Sequence, residues 1–176
     1  MEAVFRIPTL RTDRLTLRAF RAEDLDGLAA MNADVEVRRW LGGRLMSRDE
    51  SWGVMESSLG QWALRGYGLF AVEVEGSFAG RIGILHPADW SEPELAWGLA
   101  QPFWGRGLAT EAAACARDWA YATCGFEGLA SFILTENLRS RRVAEKLGAV
   151  RQGKIELRGM VADCWIHPVP GRGVAV

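Results

Sequence analysis

The 176-residue sequence predicts an α/β fold: a single mixed, mostly antiparallel sheet of about six to seven strands, flanked by helices on both faces. Three observations predict it. Stretches of apolar/polar alternation recur through the first hundred residues, as in strands with one wet face. Residues 129–135 are apolar on both faces, as in a central strand covered by helices. Helical spacings and caps interrupt these strands and give the order β α α β β β α β α β β.

Residues 12–20 place Leu15, Leu17 and Ala19 on one side and Thr16 and Arg18 on the other, a strand. Residues 22–32 carry Leu25, Leu28 and Ala29 at helical spacing. Ser47-Arg48-Asp49-Glu50 is a capping box, so a second helix starts near Ser47 and runs to about Leu64, before Gly66 and Gly68. Phe70, Val72 and Val74 alternate along residues 69–75. Glu75-Gly76-Ser77 is a turn, and residues 78–85 return as the partner of a hairpin. Residues 94–99 form a fourth strand. The next helix, from about 107 to 122, has Leu108, Ala112, Cys115, Trp119 and Ala122 on its apolar side. After the buried strand comes a short helix over 139–147, with Asn137 as N-cap and Gly148 as terminal glycine. Residues 150–157 and 160–167 close the chain as a strand pair around Gly159, and a loose tail is expected from about 170 to 176. No repeat or low-complexity linker divides the chain, so residues 1–176 read as one domain.

The composition narrows the function. The formal net charge is −1, which offers no basic surplus for a phosphate backbone, so nucleic acid is not an expected partner. The three cysteines are odd in number and form no C-x-x-C, which argues against a disulfide framework and for a reducing compartment. The two histidines stand far apart, so no metal site is expected. No apolar run approaches the roughly 20 residues of a membrane span. The first ten residues do not resemble a signal peptide. A cytoplasmic protein is the expectation.

Chemistry concentrates after the fourth strand. Trp104-Gly105-Arg106-Gly107-Leu108-Ala109-Thr110 is a two-glycine turn that opens a helix. The free N–H groups of a first helical turn and the positive end of its dipole suit a pyrophosphate. By itself, G-x-G at a helix start is equally a tight turn without a ligand. A dinucleotide fingerprint would need a third glycine where Thr110 stands; Glu127 lies at the spacing of a ribose-binding acid but follows Gly125 rather than a strand end. A second run, Asn137-Leu138-Arg139-Ser140-Arg141-Arg142-Val143-Ala144-Glu145-Lys146-Leu147-Gly148, follows the buried strand.

With the opening Thr12-Asp13-Arg14-Leu15-Thr16-Leu17-Arg18, these runs resemble the GNAT acetyltransferase superfamily over nearly the whole chain. The likeness is nearest to its ribosomal-protein N-terminal (RimJ/RimL-like) branch. That resemblance implies an N-acetyltransferase that uses acetyl-CoA, and no metal, to acetylate a primary amine by direct attack in a ternary complex. The amine would be a protein N-terminus or a small molecule. The resemblance assigns the pyrophosphate to Trp104, Gly105, Arg106, Gly107, Leu108, Ala109 and Thr110, although Trp104 stands where the wider superfamily has Gln or Arg. Leu99 and its neighbours would meet the pantetheine arm, with Asn137 bonding to it. The tyrosine acid of many relatives is replaced by Ala144, and Ser140 takes the position of an alternative proton donor. Glu94 and His86 are the candidate bases. Each has a plainer role open to it: helix capping for Asn137 and Ser140, a strand-end carboxylate for Glu94, a structural imidazole for His86. Arg139, Arg141 and Arg142 read as surface arginines, and His167 as structural. Glu111 reads as stabilising its own helix, and Cys115 as buried and unreactive. Trp40, Trp52 and Trp90 could shape an acceptor pocket or bury an interface, including that of a homodimer. Asp34, Glu36, Asp89, Glu92 and Glu94 would draw a cationic amine to the mouth. The competing reading is a non-catalytic acyl-CoA-binding or interaction domain on the same fold.

Overall fold

The chain enters its sheet in two short steps, β1 (Leu10–Arg11) and β2 (Thr16–Arg18), where one strand over 12–20 is expected. The break is a turn: the Thr12 N–H donates to the Leu15 carbonyl at 3.0 Å, and the Leu15 N–H donates to the Thr12 hydroxyl at 3.2 Å. This computed structural model describes residues 5–157 and 159–170, so the expected loose tail at 171–176 lies outside the described residues.

β3 (Leu69–Val74) and β4 (Ser77–Leu85) form the expected hairpin. Its turn has positive φ at both Glu75 (51°) and Gly76 (77°), the handedness that matches the twist of the flanking strands. β5 (Glu94–Leu99), β6 (Leu129–Leu134), β7 (Val150–Leu157) and β8 (Met160–His167) complete an eight-stranded sheet in the order β1-β2-β3-β4-β5-β6-β8-β7. The expected six to seven strands are thus corrected to eight, because the two-residue β1 pairs with β2 ahead of the stretch read as the first strand.

The helices are α1 (Leu25–Ala33), α2 (Val35–Arg38), α3 (Arg48–Arg65), α4 (Leu108–Cys124) and α5 (Leu138–Lys146). α2 has no counterpart in the sequence reading; it exists because the Asp34 carboxylate accepts from the N–H groups of Glu36 and Val37. The capping box of α3 is present, and Gly66 ends that helix at φ 75°. Leu28 of α1 and Met55 of α3 pack against Leu69 and Ala71. Ala112 and Ala116 of α4 join Phe70, Val72, Ile82 and Leu95 on the opposite face of the sheet.

Among the described residues β5 and β6 are the one parallel pair, joined through α4, and their register is a single pair, Glu94 opposite Ala130. Beyond it the two strands part. The Ser131 hydroxyl donates to the Leu95 carbonyl at 2.5 Å, and His167 Nε2 lies 2.8 Å from the same hydroxyl oxygen. A hydroxyl has one proton, so Nε2–H must be the donor there. Burial and Arg117 hold His167 down to about 4, and the ring stays neutral. This buried knot fixes where the sheet opens.

Candidate active site

A cleft of about 1720 Å³ occupies the parting of β5 and β6. It runs from Gly107–Thr110 at the start of α4, past Leu99, Asn137 and Ser140, to Glu94, His86 and Arg81.

At the α4 end, Gly105 and Gly107 hold φ of 72° and 76°, a region costly for any residue with a Cβ. The chain turns sharply there, and the first-turn N–H groups of Leu108, Ala109 and Thr110 need partners from outside the helix. Leu108 is buried, whereas Ala109 and Thr110 are half-buried at the wall. Trp104 does not bind by hydrogen bonding into the cleft: its indole N–H donates to the Leu99 carbonyl at 2.7 Å, bracing the turn against β5. Arg139 lies over the Trp104 ring at 4.5 Å. Arg139, Arg142 and Lys146 line the cleft; Arg106 points instead toward Glu75, 3.9 Å away, and is not part of the wall. A helix N-terminus with three neighbouring cations is a donor set that fits the phosphates of a coenzyme A-type ligand.

A clamp holds this turn from behind. Arg14 pairs with Glu111 at 2.6 Å and donates to the Arg106 carbonyl at 2.8 Å. The Thr12 hydroxyl donates to Glu111 at 2.5 Å. Burial pushes the Glu111 carboxyl up, but the bonds from Thr12 and Arg14 outweigh it and hold it below its ordinary value. Glu111 therefore ties the N-terminal segment to the turn, rather than only stabilising its own helix. Thr12 and Arg14 carry no signal of this in the sequence beyond their place in the opening motif.

Midway along the cleft, Asn137 caps α5: its side-chain oxygen accepts from the Ser140 N–H at 3.2 Å, which leaves its amide NH₂ for other partners. The Trp97 indole donates to the Ser140 hydroxyl oxygen at 3.2 Å. Ser140 thus accepts from Trp97 and keeps its own proton to give.

At the far end, Glu94 is only 8% exposed and accepts from the Phe132 N–H at 3.1 Å. Burial lifts its carboxyl to about 8, against the opposing pull of that N–H and of Arg81. It is not the solvated strand-end carboxylate that its position allows. His86 Nδ1 is 2.7 Å from the Tyr67 hydroxyl, and its backbone N–H donates to Gln61. Trp40 and Trp90 line the cleft, whereas Trp52 is 41% exposed and bonds to Glu56 on its own helix. Of the five acids expected at the mouth, only Glu94 lines the cleft; Asp34 is spent on capping α2. Two arginines that the sequence reading passed over, Arg38 and Arg81, line it instead. Cys115 is half-buried rather than enclosed. Among the described residues, no group of three His, Cys, Asp or Glu could hold a metal ion, and no helix is long and apolar enough to cross a membrane.

The comparisons with known proteins converge on one family. Residues 14–150 match the acetyltransferase (GNAT) domain. A solved acetyltransferase from Agrobacterium tumefaciens strain C58 is 32% identical, with 96% of this chain and 98% of that one covered, at a TM-score of 0.83. A GNAT-family acetyltransferase from Bacillus anthracis, 19% identical, shares the fold at 0.76 over 91% of this chain and 96% of its own. The ribosomal L7/L12 α-N-protein acetyltransferase RimL, solved with coenzyme A, is 15% identical and shares the fold at 0.73, over 91% and 96% of the two chains.

Proposed function

We propose, given that this chain belongs to the acetyltransferase (GNAT) family, that it transfers an acetyl group from acetyl-CoA to a primary amine by direct attack within a ternary complex. One observation carries the reading: a single cleft joins the α4 N-terminus, the Ser140 hydroxyl and the buried Glu94 carboxyl across the parted strands. Bound acetyl-CoA would supply an activated acyl carbonyl and a thiol leaving group with a pKa of about 8.5.

The chain's own residues do the rest. Backbone N–H groups of residues 108–110, with Arg139, Arg142 and Lys146, hold the phosphates. Leu95 and Leu99 have their carbonyls occupied by Ser131 and Trp104, so this stretch of β5 is held rigid beside the bound arm. The Asn137 amide donates to that arm. Glu94 takes the proton of the incoming ammonium, directly or through one water, and a base near 8 is well matched to an amine. His86, held by Tyr67, is the alternative acceptor of that proton. Ser140 would give its proton to the departing sulfur while it takes up the second proton released by the attacking nitrogen, so that its hydroxyl is restored. Fixing amine and thioester in one cleft supplies much of the acceleration, and no covalent acyl-enzyme is needed. The three free thiols suit a reducing, cytoplasmic setting.

Calorimetric titration with acetyl-CoA tests this first, followed by thiol release with a panel of amines. Binding is expected for the wild type and not for Gly107→Leu, whose backbone cannot hold φ 76° without strain. Turnover of at least one amine is the second expectation. Binding with no thiol release from any amine would favour the non-catalytic acyl-CoA-binding alternative; folded protein that binds no acetyl-CoA would end both.

A further inference from the structure

The acceptor half of the cleft is cationic, not acidic. Arg81 on β4 stands opposite Gly98 on β5. Cross-strand partners share a face, and residues 94, 96 and 98 alternate onto that same face. Arg81 and Glu94 therefore leave the sheet on one side, with only Ala96 and Gly98 between them, and both line the cleft. Arg81 belongs to none of the ion pairs among the described residues. Arg38, 7% exposed, lines the same wall, and among the described residues its side chain donates only to a carbonyl, that of Arg44 at 2.7 Å. The other lining carboxylate, Glu50, is already paired with Arg44 at 2.7 Å and bonded by the Ser47 N–H.

Arginines remain charged at neutral pH even when burial lowers them, as it does Arg81 to about 10. The Glu94 carboxyl is largely protonated there. A polycationic acceptor would thus meet two poorly solvated like charges, which is costly where the dielectric is low. An acceptor with a negative group would relieve them.

We propose that the acceptor is an amine that also carries an anionic group, with the amine at Glu94 and the anion paired to Arg81, and with Arg38 reinforcing the positive wall. The inference rests on the transferase reading and names its substrate class. A guanidinium can bind a carboxylate or phosphate in a two-pronged arrangement, so Arg81 acts as a specificity residue that selects by charge.

Matched acceptor pairs test it in the thiol-release assay: β-alanine against β-alaninamide, glutamate against glutamine, ethanolamine phosphate against ethanolamine, with spermidine as the polycation. In the wild type, at least one anionic member is expected to exceed its less negative partner about tenfold or more in kcat/KM. The carboxylate and phosphate pairs distinguish the two anions. Arg81→Met is expected to raise KM for the anionic substrate at least about tenfold, while KM for its partner and the Kd for acetyl-CoA stay within about twofold. Arg81→Lys should restore part of the preference. The wild-type comparison stands whatever the variants' folding. Preference for spermidine or for the less negative partner in every pair overturns the inference and leaves the transferase reading intact. Acetyl-CoA binding with no turnover of any amine overturns both.

Discussion

In the proposed mechanism, Glu94 is the residue on which the chemistry turns. Its carboxyl is raised by burial to about 8, so the fraction of enzyme with a competent base climbs across the neutral range. The wild-type kcat/KM is therefore expected to rise with pH on a limb near 8, and Glu94→Gln to lose that limb and fall roughly 10² to 10³-fold at pH 8. Stopped thiol-release rates over pH 6 to 9.5 check this; a limb unchanged in the variant would move the role to His86. The residue type and its place at a strand start are legible in the sequence. Its environment is not, because the N–H that binds it comes from Phe132, 38 positions away, and no local pattern encodes that approach. The arginines of the acceptor wall were passed over for the same reason: Arg81 reads as one polar member of an alternating strand, and only the register with β5 brings it to Glu94. Asn137 and Ser140 were easier, since a cap and its N–H lie three residues apart.

Elements with local causes were read closely. Ser47 with Glu50 starts α3, Asn137 starts α5, and Gly66 ends α3, each through contacts within a few residues. α2 escaped because four residues are too few to show a period. β1 escaped because two residues are too few to show an alternation, and β2 is shorter than the expected strand because Thr12 makes a turn to Leu15. In the proposed mechanism, the element with the greatest consequence for the cofactor is the glycine turn before α4, and it is held by a segment nearly a hundred residues earlier. Arg14→Met should loosen that turn and raise the acetyl-CoA Kd severalfold, while kcat at saturating cofactor stays within about twofold. The Arg14 side chain is half exposed, so solvent screening keeps the effect modest. Calorimetry paired with saturating kinetics separates the two; a lost kcat with unchanged Kd would place the clamp in catalysis instead of cofactor binding.

At the scale of the molecule, two buried groups set the pH dependence of stability in opposite directions. Glu94 holds its proton in the folded state up to about 8 but loses it near 4.5 when unfolded, so it makes stability fall as pH rises through that window. His167 stays neutral when folded down to about 4 but takes a proton near 6.5 when unfolded, so it makes stability rise with pH over that lower window. The two slopes cancel between about pH 4.5 and 6.5. Above that, Glu94 acts alone and stability should fall by up to about 1.4 kcal/mol per pH unit until about pH 8. Thermal melts are expected to show a Tm plateau between about pH 4.5 and 6.5 and a decline to pH 8 that Glu94→Gln abolishes; a decline equal in the variant would remove Glu94 as its cause. The α/β class and the order of most elements along the chain were legible because periodicity and turn chemistry are local. The parting of β5 from β6 was not, because it rests on the Ser131–His167–Leu95 knot, which three separate strands supply. The clamp from Arg14 to Glu111 spans 97 residues. On a ribosome adding roughly 5 to 20 residues per second, Thr12 and Arg14 therefore wait about five to twenty seconds before their partner is synthesised. The β3–β4 hairpin can form in that interval while the clamp has no second half, so a growing chain gains its fold in instalments and the bracing of its glycine turn late.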